Sequence, residues 1–343
     1  VDSPDGRRRR IAPALESLER RALLTAYTGP SANRPVSTPS GSYYIQVSGP
    51  GAVEVHHNPT GAINLNVYGT TSSSTLTITQ TQPRYHATSR PLDIQTLTIR
   101  SKQLGGLNAA AVALEGKMTP LSNTMNTLEI GTIGPKAQVD VNGSVGTMTV
   151  SNVDLGPSGH VAITGDVNSI AQSGPMTIGA ITIDGGRFSI GRDSLASIAI
   201  NGDIVISKDG KLSIGRDQDG TFTVYGSMVL NTGGQLVIGR NLAALGITGN
   251  LIVGPSGSGV AIDGALESLT VTGYVEGQGG QSVPSAVDLG VGLNLSNLSI
   301  LGGLSGQGGL INANIRAGGI VSGVDIPYGT SNSNIQSNAA MPT

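Results

Sequence analysis

Three near-identical phrases at one fixed spacing limit what this chain can fold into more than any other feature. Gly185 to Asp193 reads GGRFSIGRD, Asp209 to Asp217 reads DGKLSIGRD, and Gly233 to Asn241 reads GGQLVIGRN. Phe188, Leu212 and Leu236 are separated by steps of 24 residues, and so are Arg192, Arg216 and Arg240. A period of this length is the mark of a solenoid, in which one supersecondary unit stacks on the next because it cannot bury its apolar face alone.

A second phrase, apolar-x-apolar-x-Gly, runs between these: Val139 to Gly143, Val161 to Gly165, Ile181 to Gly185, Ile198 to Gly202, Phe222 to Gly226, Leu245 to Gly249, Val260 to Gly264 and Leu269 to Gly273. Alternation turns both apolar side chains to one side of a strand. The closing glycine is expected to supply the positive φ of a sharp corner. Two or three such strands per coil describe an all-β fold, a parallel β-helix or β-solenoid with coils of about 24 residues. Residues one period apart then stack about 4.8 Å from one another. Phe188, Leu212 and Leu236 are expected to form an internal ladder. Arg192, Arg216 and Arg240 are expected to form an outer one, read as a solvated Arg/Asp ladder aided by Asp193 and Asp217, with a binding stripe for an anionic polymer as the alternative.

Composition agrees with this architecture. Of 343 residues 51 are Gly, aromatics are 3%, and Trp and Cys are absent, so large aromatic anchors do not build the core. The 38% hydrophobic content pairs with only 12% charge, which is not the balance of a disordered chain. Absence of Cys excludes disulfides, thiolate zinc sites and Cys nucleophiles. No run approaches the roughly 18 apolar residues that a membrane-spanning helix needs.

Charge is uneven along the chain. Residues 1–35 hold seven Arg and four acids, net +3, and the remainder holds 13 basic and 18 acidic residues, net −5. With basic character concentrated at the N-terminus and few aromatics to stack bases, nucleic-acid binding has little support.

The N-terminal segment opens with four consecutive Arg, residues 7–10, followed by Leu15, Leu18 and Ala22 at the spacing of a short amphipathic helix after Pro13. Its apolar part, Ala22 to Ala26, is shorter than the core of an ordinary secretory signal. Leu18, Glu19, Arg21, Leu23, Leu24 and Thr25 resemble the Leu-Glu-x-Arg-x-Leu-Leu sorting motif of planctomycete exported surface proteins, with Arg20 where that family often has Pro or Asp. The resemblance covers about 20 residues. It implies export to the cell surface or beyond and a β-repeat body, and implies nothing about catalysis.

The expected organisation is an Arg-rich, partly helical export leader over residues 1–26, a Pro/Ser linker over 27–42, an irregular β region or N-terminal cap over 43–120, the regular solenoid over 121–326, and a flexible tail over 327–343.

Candidate chemistry is sparse. Asp184, Asp203, Asp209, Asp217, Asp219 and Asp263 are the carboxylates a polysaccharide lyase or hydrolase on this fold would draw on, but most lie beside Gly, where Asp serves turns. Asp217-Gln218-Asp219-Gly220 has the alternating oxygens of a calcium loop without its remaining ligands. His56 and His57 are adjacent, so on a strand they point to opposite sides, and His86 and His160 are distant. No catalytic, cofactor or metal residues are assigned. The sequence reads as an exported, non-catalytic structural or adhesive solenoid whose partners are a surface glycan, other envelope proteins or copies of itself. The alternatives are a polysaccharide-active β-helix enzyme and an intracellular polymer-forming scaffold.

Overall fold

The computed structural model describes residues 24–27, 35–81, 90–167, 176–192, 197–255, 257–278, 288–303 and 308–338. Among them the chain is all-β, a parallel solenoid of about nine turns with coils near 24 residues.

The solenoid begins behind a cap of mostly antiparallel strands. Strand β1 (Leu24–Tyr27) pairs with β4 (Ala52–His57), which pairs in turn with β5 (Ile63–Tyr68). Strand β2 (Val36–Thr38) forms a hairpin with β3 (Gly41–Ser48), and β3 pairs with β6 (Thr75–Gln80). The β-rich region thus starts inside the stretch expected to be a linker. The change of direction comes at β7 (Leu92–Ile99) and β8 (Gly106–Met118), which lie parallel to β5 and β6 and to one another. From β9 (Met125–Ile133) onward every strand pairing is parallel to its equivalent in the next coil.

Each coil then has three faces, here called A, B and C in chain order. Face A stacks nine strands: Gln138–Val141, His160–Ile163, Arg187–Ile190, Lys211–Ile214, Gln235–Ile238, Gly259–Ile262, Leu289–Val291, Asn314–Ala317 and Asn334–Ser337. Nine strands at the usual inter-strand spacing give a rod of about 40 Å. In the central coils face B carries Ile198–Ile200, Gln218–Val224 and Leu242–Ile247, and face C carries Ile204–Ser207, Met228–Leu230 and Leu251–Val253.

Alternation puts every second residue inside. Phe188, Leu212 and Leu236 stand in register on face A between Val161 and Val260, all at most 4% exposed. Two residues on, Ile163, Ile190, Ile214, Ile238 and Ile262 form a second buried ladder. Branched side chains have few rotamers and suit a pleated surface, so a column of identical Ile packs at low entropic cost.

Two expectations are corrected here. Of the eight corner glycines only Gly185 has a positive φ, +81°. Gly143, Gly165, Gly202, Gly226, Gly249, Gly264 and Gly273 are required by crowding instead. A Cβ on Gly249 would sit 2.4 Å from the Ser227 Oγ and 2.8 Å from the Gly226 carbonyl, and on Gly273 it would sit 2.1 Å from the Asn250 Oδ1. The second correction concerns the C-terminal segment set down as a flexible tail. Residues 330–337 continue the stacks, with Thr330–Ser331 on face C and Asn334–Ser337 on face A. Of the leader, Leu18, Glu19, Arg21 and Leu23 and the helix expected after Pro13 lie outside the described residues. Leu24 and Thr25 fall in β1, opposite His56 and Val55.

Candidate functional site

Three of the six aspartates that sequence singled out for chemistry, Asp184, Asp203 and Asp217, join one coil to the next. At the corner between faces B and C the Asp203 carboxylate accepts from the Ser227 backbone N–H at 2.7 Å. The Ser227 hydroxyl accepts from Asn250 N–H at 3.1 Å, and the Asn250 amide oxygen from Tyr274 N–H at 3.1 Å. The corner between A and B repeats the device: Ser144 to Asp166 at 3.1 Å, Asp217 to Asn241 at 3.0 Å, Asn241 to Ala265 at 2.9 Å, and Asn294 to Ile320 at 2.9 Å. Each is a short oxygen-bearing side chain one coil away from the N–H it satisfies, and in every case but Asn241, which follows Arg240, the bare Cα of the glycine before that N–H leaves it room.

Asp184, at the end of a face C strand, accepts from the Ser207 hydroxyl at 2.9 Å and from Lys208 Nζ at 2.7 Å. The Lys208 bond first, then that of Ser207, holds its carboxyl below the usual range. Asp209 and Lys208 form a turn with φ of +63° and +52°. Gln218 to Thr221 is a register irregularity against the next coil, so the fragment that looked like a calcium loop is a bulge beside the Asp217 cap. Asp263 lies in the corner after face A, its N–H bonded to the Ile238 carbonyl. Among the described residues no group of three or more His, Asp or Glu side chains is arranged to hold a metal ion.

Arg192, Arg216 and Arg240 all lie at the corner after face A, Arg192 and Arg216 exposed and Arg240 with most of its side chain in solvent. Arg240 reaches the Asp217 carboxylate of the preceding coil at 3.7 Å, while Asp193 lies outside the described residues. On the face A strands themselves the outward positions Lys117, Gln138, His160, Arg187, Lys211 and Gln235 follow one another in register. His160 is tied to Asp140 at 3.0 Å.

Two clusters were not found from sequence. On the cap, the Tyr68 hydroxyl donates to Glu54, His56 Nε2 lies 3.3 Å from the same carboxylate and 2.9 Å from Asn66 Nδ2, and the Arg100 guanidinium sits 5.0 Å over the Tyr68 ring. The Tyr68 bond, with His56 behind it, keeps the Glu54 carboxyl low and raises the Tyr68 phenol. The signal was there in the strand-alternating Glu54-x-His56 and Asn66-x-Tyr68, read together only once β4 and β5 are paired. In the first coils, burial and then the charges of Asp93 and Asp154 push the Glu115 carboxyl up. Nothing local in the run from Ala110 to Gly116 marks that acid, because its neighbours arrive from other coils.

Among the described residues no helix is long and apolar enough to cross a membrane. The fold and its surface define the class: a capped, three-faced parallel β-solenoid. Compared with known proteins, the chain matches no family model, no curated protein and no solved structure.

Proposed function

We propose that this chain is an exported, non-catalytic β-solenoid that acts at the cell surface or outside the cell as a rigid structural or adhesive element. The observation that carries the reading is the use of the corner side chains. Asp203 and Asp217, two of the carboxylates that sequence offered for chemistry, are bonded with Asn241 and Asn250 to the backbone of the next coil, which stiffens the rod. The resemblance of Leu18, Glu19, Arg21, Leu23, Leu24 and Thr25 to a sorting motif of exported surface proteins supports export. The rod offers lateral faces for a surface glycan, another envelope protein or a second copy.

Fractionation of the native cell, with immunodetection and N-terminal sequencing, tests this. Recovery from the envelope or the medium is expected. A wholly cytoplasmic, full-length protein sinks the export reading and favours an intracellular polymer-forming scaffold.

One observation favours a second reading, a polysaccharide-active enzyme. The Glu115 carboxyl is pushed up, first by burial and then by the charges of Asp93 and Asp154, and an upward shift is what a general acid needs. Release of reducing ends or unsaturated sugars from a panel of glycans by the wild-type chain, lost in E115Q, would establish it.

A further inference from the structure

Cations are segregated on this rod. After residue 120 the chain has eight Lys and Arg: Lys136, Arg187, Arg192, Lys208, Lys211, Arg216, Arg240 and Arg316. Arg187, Lys211 and Arg316 are on face A strands, Arg192, Arg216 and Arg240 are at the corner that follows it, and Lys136 and Lys208 are at the corner that precedes it. Among the described residues after 120, the strands of faces B and C carry acids, including Glu129, Asp154, Asp184, Glu267 and Glu276, and no cation. Acids share this side as well, Asp140 on a face A strand and Asp166, Asp217 and Asp263 at the corner that follows, so the positive excess is local to the central coils, where Arg187, Arg192, Lys211 and Arg216 gather.

The arrangement is a linear array. Arg187 and Lys211 are Cα partners in adjacent coils, about 4.8 Å apart at strand spacing. Their exposed neighbours Arg192 and Arg216 keep the same step of one coil. Like charges at that distance repel, and among the described residues no carboxylate forms an ion pair with any of these four. An anion laid along the axis relieves that repulsion. Between the cations stand Ser189, Ser213, Gln235 and His160, groups that bond to hydroxyls.

We propose that face A with its following corner is a binding surface for a linear anionic polysaccharide, of the polyuronate class, aligned with the solenoid axis. This extends the surface role proposed above by naming its ligand. Chemistry distinguishes the glycan from a nucleic acid. Single-stranded nucleic acids are held by aromatic platforms, and the aromatics after residue 120 are either buried, as Phe188 and Phe222, or placed away from face A, as Tyr225 and Tyr274 at the corner between B and C and Tyr328 ahead of the last face C strand.

The test is equilibrium binding of the full chain to polygalacturonate over a range of salt, with neutral dextran and single-stranded DNA as comparisons. Because Arg7 to Arg10 also attract polyanions, a leader variant R7Q/R8Q/R9Q/R10Q is measured beside the face variant R187Q/K211Q/R216Q. The wild type and the leader variant are expected to bind polygalacturonate and not dextran. The face variant should bind about tenfold more weakly, with a salt slope lower by about one per cation removed. Thermal melting checks that the face variant is folded, and R216Q alone, at an exposed corner, serves if it is not.

Equal binding by wild type and face variant, loss of binding in the leader variant alone, or DNA binding as tight as polygalacturonate and equally dependent on face A would each overturn the proposal. A cytoplasmic chain that binds through face A leaves this inference standing and sinks export, whereas an exported chain that ignores polygalacturonate does the reverse.

Discussion

The Asp203 carboxylate accepts a 2.7 Å hydrogen bond from the backbone N–H of Ser227, one coil further along the solenoid. Parallel stacking leaves corner N–H groups pointing along the axis with no strand partner of their own, and a short oxygen-bearing side chain one coil away is the nearest acceptor. The relay continues through Ser227 and Asn250 to Tyr274. D203A and N250A are each expected to lower stability by about 1 kcal/mol, the ordinary cost of losing such a bond at an accessible site. N250D keeps the acceptor and should cost less. Chemical unfolding of the three variants measures this, and hydrogen exchange at the Ser227 and Tyr274 amides should rise in the matching variant only.

Crowding at the corners gives a second, sharper contrast. A Cβ on Gly249 meets the Gly226 carbonyl at 2.8 Å, and backbone has nowhere to move within a stack, so G249A should cost about 2 kcal/mol or more. Gly246, three residues earlier, stands outward on face B in register with Thr223 and Thr270, and its added Cβ meets nothing closer than 3.8 Å. G246T restores a Thr column and should be neutral or stabilising by about 0.5 kcal/mol, through cross-strand contacts and lower unfolded-state entropy. A pair of melting curves reversed from this order would show that the corners have slack.

The register of the body was legible in the sequence because a solenoid converts sequence period directly into spatial neighbourhood. Once Phe188, Leu212 and Leu236 are 24 residues apart, their contact follows. The role of the corner glycines was misread because φ is local and crowding is not. A Gly in Gly-Asp or Gly-Asn looks like a turn residue until the coil beside it is placed. The capping relay had a readable signal, since Gly143-Ser144, Gly165-Asp166, Gly202-Asp203, Gly226-Ser227 and Gly249-Asn250 all set an oxygen-bearing side chain just after the corner glycine. The Glu54, His56 and Tyr68 cluster had none of comparable strength, because it depends on antiparallel pairing in a region without a period. Coil lengths depart from 24 where extra residues intervene between stacked strands. Ile262 and Val291, for example, are partners in adjacent coils of face A although 29 positions separate them (291 − 262).

The buried Ile column offers a test of how cooperative the stack is. Ile214 is 1% exposed and packs between Ile190 and Ile238. I214A should cost about 3 kcal/mol from lost transfer energy and the cavity left behind, and I214V about 1 kcal/mol. Because coils touch only their neighbours, stability is a sum of coil and interface contributions. The loss should therefore speed hydrogen exchange in the strands holding Ile190 and Ile238 more than in the cap. Uniform acceleration from β3 to the last coil would mean that the molecule opens as one unit.

Asp288 makes the stability of the solenoid depend on pH. It is 4% exposed, and burial pushes its carboxyl up to about 6 even though it accepts a 2.6 Å bond from the Asn314 N–H. The folded state then holds a proton that the unfolded chain, titrating near 3.8, has already released. The stability this group contributes is fully present below the unfolded value and is lost as pH rises through about 6. By neutral pH the loss amounts to at most about 3 kcal/mol, the size of a two-unit shift. D288N keeps an oxygen for Asn314 and removes the charge. Its melting temperature should exceed the wild type's at about pH 8, and the gap should close as pH falls to about 4. A gap that is constant over this range would mean that the Asp288 carboxylate is solvated in the folded protein and titrates as it does in the unfolded chain.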